Sequence, residues 1–317
     1  MSSKATTVVD CSIIIVNYRT ETQLGECLAS LHRSLEGAAL EVIVVDNSTT
    51  LLRADFPERF PWARFVENRS NLGFARASNQ GLRLARGRHL LLLNPDTVVP
   101  TGAVGTLIRY LDEHPDVGAV GPRLLNMDGT LQYSCRRFPG WLTIFFGRYS
   151  ILTRLLPQNA VSRRYLYLDW DHGSVADVDW LTGACLMVRR EVVESVGFLD
   201  EGYFLFVEDM DWCRRIRDAA WGIVYVPDAT LMHHVGASRG PAPPRVVLAR
   251  HHSMFRYLRK HFAAPWPLEA LVGLGLLLRA GIEVTLSALS VVLGAVRPTR
   301  RVEEKVESPA SEVLQKV

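Results

Sequence analysis

Three short apolar runs, each followed at once by an amide or a carboxylate, constrain this chain more than any other feature. They read CSIIIVNY at 11–18, LEVIVV at 40–45 and HLLLL at 89–93. None alternates apolar with polar residues, so each predicts a strand covered on both faces. Between the first two, Leu24, Cys27, Leu28, Leu31 and Leu35 recur at helical spacing. Helices are also expected over Phe74 to Ala85 and Thr101 to Glu113, with a short strand over Arg64 to Val66. Strands and helices in alternation predict an α/β fold with a mixed, mostly parallel sheet and flanking helices. Ligands of such sheets bind beyond the carboxyl ends of the strands. Here those ends read Asn17-Tyr18, Asp46-Asn47 and Asn94-Pro95-Asp96. Asn and Asp also favour turns, yet three such ends on one edge point to a site.

Composition narrows the function. Of 317 residues, 36 are basic and 33 acidic, a net charge of +3 that carries no nucleic-acid footprint. Cys11, Cys27, Cys135, Cys185 and Cys213 are odd in number and form no C-x-x-C pair, which excludes a zinc ribbon and argues against a disulfide framework. The opening MSSKATTVVD holds no apolar stretch of signal-peptide length, so a cytoplasmic location is expected.

The second half is less regular. Residues 126–170 are rich in Arg and aromatics, among them Arg136, Arg137, Trp141, Phe145, Phe146 and Arg148. Val175 to Val188 reads as strand, turn and strand around Thr182-Gly183, and Gly222 to Val226 as another buried strand. GPAPP at 240–244 reads as a linker, followed by a basic helix over Val246 to His261. Leu268 to Val296 is long and apolar enough to span a bilayer. Within it Arg279, Glu283, Ser287 and Ser290 form one polar stripe on a helix. Such a stripe at mid-depth is costly for a lone span. A helix lying in the interface, or two short helices paired across a bend, would keep it wet. A true span and a soluble core helix are the other readings. The charged residues 297–317 are expected to be disordered.

Two motifs mislead. Gly236-Ala237-Ser238-Arg239-Gly240 fits the hydrolase nucleophile elbow, but a Pro-rich segment follows, and no carboxylate lies between Ser238 and the final histidine, His261. No phosphate-binding glycine loop follows a strand, which sets aside dehydrogenases and P-loop nucleotide hydrolases. More informative is Glu208-Asp209-x-Asp211, three carboxylates within four residues at the start of a helix. They are caps and dipole partners in one reading. In the other, mutual repulsion and aromatic surroundings raise a pKa toward the range of a general base. His233 and His234 close the last strand; one beside Asp96 would complete a mixed nitrogen and oxygen site for Mn²⁺ or Mg²⁺.

Taken together, IIIVNYRTETQLGECLASL, VIVVDNS, NRSNLGFARASNQGL, LLLNPDTVV, DWLTGACLMVRR, VGFLDEGYFLFVEDMDWCRR and YVPDATLMHHVGAS resemble family 2 glycosyltransferases of GT-A fold, in the subgroup of bacterial rhamnosyltransferases. The resemblance spans roughly residues 11–240 as the glycosyltransferase domain. It leaves 241–267 as linker and basic helix and 268–296 as a membrane-associating segment. It implies inverting transfer of a sugar from a nucleoside-diphosphate donor, dTDP-L-rhamnose preferred, to a lipid-linked or glycan acceptor. The setting implied is cell-surface polysaccharide assembly, at the cytoplasmic face of the membrane and peripheral rather than spanning. By position, Asn17, Asp46, Asn71, Gly73, Phe74, Asn79 and Asn94 match the donor site, and Trp180, Thr182 and Gly183 the acceptor site. Asp209 matches the base, with Glu208 or Asp211 orienting it or binding acceptor. Asp96 and His233 match the ligands of a divalent cation, His234 being the alternative. Asn94 stands where the family's metal motif has its first acid, which removes a charge from that site. Arg136 and Arg137 are candidates for the diphosphate of a lipid-linked acceptor. Other readings are a UDP- or GDP-sugar donor, and a non-catalytic protein that binds sugar nucleotides at the membrane.

Overall fold

The computed structural model describes residues 8–33, 38–48, 55–140, 143, 159–234 and 243–295. Trp141, Phe145, Phe146, Arg148, the segment Gly236 to Gly240, most of the Pro-rich linker and residues 297–317 lie outside the described residues.

The elements run β1 (Cys11–Asn17), α1 (Glu21–Arg33), β2 (Leu40–Asp46), α2 (Phe56–Arg59), β3 (Ala63–Glu67), α3 (Phe74–Leu84), β4 (His89–Leu93), β5 (Thr97–Val98), α4 (Ala103–Glu113) and β6 (Val117–Leu125). After them come β7 (Leu131–Gln132), β8 (Cys135–Arg136), α5 (Ala160–Tyr165), β9 (Ala176–Asp177), β10 (Trp180–Leu181), β11 (Cys185–Arg189), α6 (Arg190–Val196), α7 (Glu208–Asp218), β12 (Gly222–His233), α8 (Pro244–His261) and α9 (Trp266–Ala295). Eight strands pair in the order β3-β2-β1-β4-β11-β6-β12-β5, with β7 on β6 and β9 on β12. The first four are mutually parallel, β11 runs antiparallel to both neighbours, and β12 returns parallel to β6.

The unbroken apolar runs have a simple cause. Along β1, Ile13 and Ile15 face one core cluster with α1 and α4, while Ile14 and Val16 face a second with α3 and α7. Both faces are dry, so the run from Ile13 to Val16 is apolar, and Ser12 before it is buried with its hydroxyl bonded to Glu41 and the Gly87 N–H. The polar residues sit at the strand ends because water and ligand begin there. Since β2, β1 and β4 are adjacent and parallel, Asp46, Asn17 and Asn94 reach one sheet edge, and Asn17 pairs in register with Asp46.

Two expectations change in detail. The strands around Thr182-Gly183 do not form one hairpin: β10 pairs with β8 in a separate two-stranded sheet, whereas β11 enters the main sheet between β4 and β6. The apolar tail is one helix of 30 residues with no bend between two shorter pieces. Its stripe is also less wet than expected. Arg279 and Glu283 turn onto α8, where Glu283 accepts from Arg279 Nε (3.2 Å) and pairs with Arg250. All five cysteines are buried and unpaired by disulfides, and burial raises their thiol pKa values, which leaves them inert packing groups.

Candidate active site

Four chain segments meet at the carboxyl edge of the sheet. At the end of β1, Asn17 Nδ2 donates to Asp46 Oδ1 (2.8 Å), and both side chains are buried. Asn17 Oδ1 in turn accepts from Thr20 Oγ1 (2.8 Å). Among the described residues Asp46 commits only this one carboxylate oxygen, shared with the Ser48 N–H (3.3 Å). An acid anchored through one oxygen can offer the other to a ribose or base.

Next to it lies Asn47, which takes over the ordering of the following loop. Its Nδ2 donates to Asn71 Oδ1 (2.8 Å), and its Oδ1 accepts from the Leu72 N–H (2.9 Å). That loop leads into Gly73, whose φ of 84° suits glycine. A Cβ there would lie 2.5 Å from the Phe204 carbonyl oxygen, which itself accepts from the Phe74 N–H (2.7 Å). So Asn71, Gly73 and Phe74 lie at this edge, held by Asn47 on one side and by the Phe204 carbonyl on the other. Asn79 sits deeper: its amide donates to the Leu199 carbonyl (2.9 Å) and accepts from the Leu199 N–H (3.1 Å). It is occupied in holding the 199–204 loop against α3 rather than turned to a ligand.

Beyond β4, Asp96 Oδ1 and Asn94 Nδ2 each stand 3.3 Å from His233 Nε2. The ring at this position is that of His233; His234 meets Asp96 through its backbone N–H (2.8 Å). Among the described residues no three His, Cys, Asp or Glu side chains converge. One carboxylate and one imidazole 3.3 Å apart still match two neighbouring ligands of an octahedral ion, which lie about 3 Å apart at metal–ligand distances near 2.1 Å. The donor set could therefore hold Mn²⁺ or Mg²⁺ that takes its remaining ligands from water and a bound diphosphate.

The acid pair at the start of α7 closes the site. Asp209 Oδ2 accepts from the Gly183 N–H (2.8 Å) and Oδ1 from the Met210 N–H (2.8 Å). Burial raises its pKa, held in check by those two donors and by Arg136. Glu208 is pushed further up, by burial and then by the neighbouring Asp209 charge, and its buried Oε2 has no partner. The two neighbouring acids thus differ in surroundings: burial and the Asp209 charge favour the protonated form of Glu208, whereas two backbone donors and Arg136 favour the carboxylate form of Asp209. A Cβ built on Gly183 would lie 3.6 Å from Asp209 Oδ2 and 3.7 Å from Phe74 Cε1. Asp209, the Thr182-Gly183 turn and Phe74 therefore adjoin one another.

Asp211 leaves this group. Two residues on from Asp209, it lies on the opposite side of α7, fully buried, and accepts from His261 Nε2 (2.8 Å), Lys260 Nζ (2.8 Å) and Arg215 Nε (3.0 Å). Burial alone would raise its pKa, but these three donors hold it well below the usual carboxylate range. It ties α7 to α8 and has no lone pair aimed at a reacting group. Trp180 is likewise core: its Nε1 donates to the Arg137 carbonyl (2.9 Å), and the Arg136 guanidinium covers its ring at 4.9 Å. That leaves the indole no open face on which a sugar could stack. Arg137 lies over the Tyr167 ring, 4.8 Å away, so only Arg136 of the two basic candidates faces the acid pair.

Sequence reasoning missed Gln132 and the Lys260–His261 pair. Gln132 supports His233, and its signal was absent because a lone Gln in an irregular segment resembles any other. The basic end of α8 reads equally well as a solvated face. Phe206 and Val207 both have positive φ, 66° and 73°. For a β-branched residue this is strain, located directly before the acid pair.

A mostly parallel sheet with these amides and acids on its carboxyl edge, closed by an acid pair on a helix start, defines a glycosyltransferase of GT-A fold. The profile described as "Glycosyltransferase like family 2" matches residues 10–258. The chain belongs to that family. It is 30% identical over 286 residues to the N-acetylglucosaminyl-diphospho-decaprenol L-rhamnosyltransferase of Mycobacterium tuberculosis, covering 86% of this chain and 92% of the relative. It is 25% identical to the rhamnosyltransferase WbbL of Escherichia coli (strain K12), covering 78% and 92% of the two chains. Among solved structures, the mannosyltransferase PcManGT from Pyrobaculum calidifontis, in complex with GDP-Man and Mn²⁺, superposes with a TM-score of 0.53. The identity is 18%, over 98% of this chain and 80% of that one.

Proposed function

We propose that this glycosyltransferase moves L-rhamnose from dTDP-L-rhamnose, with inversion, to a lipid-linked diphosphate sugar at the cytoplasmic face of the membrane. The rhamnosyltransferase names of two relatives that it matches over nearly their whole length support the donor and acceptor class. The observation that carries the chemistry is the contact of Asp209, Gly183 and Phe74.

In this reading Asn17 and Asp46 receive the nucleoside, and Asn71, Gly73 and Phe74 line the nucleotide, with Asn47 keeping their loop in place. Thr182 and Gly183 border the acceptor. The acceptor hydroxyl oxygen attacks the anomeric carbon while its proton passes to Asp209, and the bond to the diphosphate breaks with its electron pair on the leaving oxygen. Burial keeps Asp209 basic enough for this task, and the backbone donors aim it. Glu208, held protonated, keeps a second negative charge out of the pocket. Asp96 and His233 are the residues that would hold a divalent cation, which when bound offsets the charge of the leaving diphosphate. Arg136, beside Asp209, is placed to meet an anionic acceptor.

The exposed aliphatic face of α9 supports attachment to a membrane surface. Trp266 to Leu289 is long and apolar enough to cross a bilayer. The Arg279–Glu283–Arg250 cluster favours the peripheral arrangement, with the polar stripe against α8 and the leucines toward lipid.

The test is thermal stabilisation by dTDP-L-rhamnose, UDP-sugars and GDP-sugars, each with and without Mn²⁺, followed by transfer to a polyprenyl-diphosphate sugar. A ligand at 100 times its Kd adds about 2.7 kcal/mol of stability. A shift largest for dTDP-L-rhamnose, with rhamnosylated product, is expected. A larger shift for a UDP- or GDP-sugar overturns the donor assignment.

A further inference from the structure

We propose that Gln132 is a positioning residue for the cation site: it fixes the tautomer of His233 so that the Nε2 lone pair, not an N–H, faces Asp96. This rests on the reading that Asp96 and His233 hold a divalent cation.

The geometry is over-determined. Gln132 lies on β7, opposite Leu124 of β6, and its Nε2 is surrounded by acceptors. It donates to the His233 carbonyl (2.6 Å), to Asn126 Oδ1 (2.9 Å) and to the Leu125 carbonyl (3.3 Å). Turning the amide over would set Oε1 against three oxygens, so its orientation is dictated by its surroundings. Oε1 then points at His233 Nδ1, 2.9 Å away, and an oxygen there requires Nδ1 to carry the proton. In the neutral ring Nε2 is left bare.

This preference opposes a competing pull. Asp96 Oδ1, 3.3 Å from Nε2, would by itself favour the tautomer with Nε2–H, which donates to the carboxylate and blocks coordination. A metal-bound imidazole needs the opposite arrangement, and its far nitrogen is ordinarily held by an acceptor of this kind. Asn94 Nδ2, also 3.3 Å from Nε2, is a donor and agrees with a bare nitrogen. With Asn94 contributing no charge, the site has one carboxylate, and losing the imidazole would leave a single protein ligand. Gln132 therefore bears on cation affinity without touching the cation. A scaffold role alone would need only its Nε2 donor.

Two substitutions separate these functions. Both Gln132→Met and Gln132→Glu remove the Nε2 donor, and Glu also sets an oxygen against the three acceptors, so any scaffold loss is at least as large in Glu as in Met; only Glu keeps an oxygen for Nδ1–H. The measurement is ¹⁵N NMR of the His233 ring in the full-length protein, with Mn²⁺ alone titrated and its Kd read from paramagnetic broadening of the same signals. His233→Ala and wild type are run beside them. In wild type and Gln132→Glu the Nδ1–H form should dominate, with Mn²⁺ affinities within about threefold. In Gln132→Met the Nε2–H form should appear and Mn²⁺ binding should weaken about 10- to 100-fold. Equal losses in Met and Glu variants would make Gln132 only a scaffold and overturn the proposal, as would an unchanged tautomer in Gln132→Met. If Mn²⁺ failed to broaden His233 in wild type and bound equally well to His233→Ala, the cation reading itself would fall, and the proposal with it.

Discussion

The Gly183 N–H and Asp209 Oδ2 are 26 residues apart in the chain and 2.8 Å apart in the fold. This bond joins the turn between β10 and β11 to the first turn of α7, and it holds one carboxylate near Phe74 at the start of α3. A side chain that only capped its own helix would not need it.

Asp209→Asn is therefore expected to lower kcat by about 10²- to 10⁴-fold, the usual worth of a general base. Donor affinity, measured by calorimetry on the same variant, should stay within about twofold. Because the ionised form is the working one and burial raises the pKa, wild-type kcat/KM should fall as pH drops through a value above the ordinary 3.8 for Asp. Wild-type turnover in Asp209→Asn would end this assignment.

The neighbouring Glu208 gives a stability prediction of the opposite pH sense. Its folded-state pKa is raised by burial and by Asp209, so the folded protein binds its proton more tightly than the unfolded chain. The resulting stabilisation is present at low pH and is lost as pH rises through the raised value. Gln at this position is neutral throughout. Glu208→Gln should flatten the decline in Tm of wild type on the alkaline side, with a kcat loss far smaller than that of Asp209→Asn. Parallel Tm-against-pH curves for the two proteins would contradict it.

Asp211 shows the mirror case. Its folded pKa is depressed by His261, Lys260 and Arg215, so its contribution is present in full above the ordinary carboxyl range, starts to shrink as pH falls below it, and is lost only as pH falls through the depressed folded value. Removing one member of a buried ion cluster leaves the others uncompensated. Asp211→Asn should cost about 3 kcal/mol in urea unfolding near neutral pH, and the gap to wild type should close in acid. Since this cluster clamps α8 beside the 199–207 loop, where Ser253 Oγ also donates to the Leu205 carbonyl (2.9 Å), the variant should lose activity through looser positioning. A full stability gap persisting at pH 3 would contradict the linkage.

How far the sequence was legible follows from the kind of signal each residue carries. The strands of the nucleotide half stood out because both faces are buried, and the edge amides stood out because they interrupt those runs. Glu208, Asp209 and Asp211 looked alike as a cluster, yet helix geometry sends Asp211 to a different surface from Asp209; only the positions of Lys260 and His261 on a later helix decide which acid is spent. Trp180 failed for the same reason. An indole beside a Thr-Gly turn suits a sugar platform as well as a core residue, and the choice depends on Arg136 lying across it. Gln132 was invisible because its partner His233 is 101 residues away. The polar stripe on α9 was read correctly as a stripe, but what it faces is set by α8.

The last prediction concerns that stripe and the face behind it. On α9, Leu276 and Ala280 are buried against the rest of the protein, and Arg279 and Glu283 flank them. Leu271, Leu274, Leu278, Ile282, Leu286 and Leu289 recur at three- and four-residue steps round the other side and are 48–65% exposed, an aliphatic surface that water does not favour. Placed in a bilayer interface, this face would shed that surface while the charge cluster stayed covered by α8. Replacing Leu271, Leu274 and Leu278 together by Ser should therefore abolish most binding to vesicles with anionic lipid, on the order of 10²-fold if each leucine contributes about 1 kcal/mol. Tm should change little, because these side chains are more than half exposed. Leu276→Ala should do the reverse, costing about 2–3 kcal/mol of stability with vesicle binding retained. Extraction of the wild-type protein from membranes distinguishes the two arrangements of the helix: alkaline carbonate should release a chain lying in the interface and leave a spanning one behind. Release is expected, because crossing the bilayer would carry Arg279, Glu283 and the α8 residue Arg250 into hydrocarbon together.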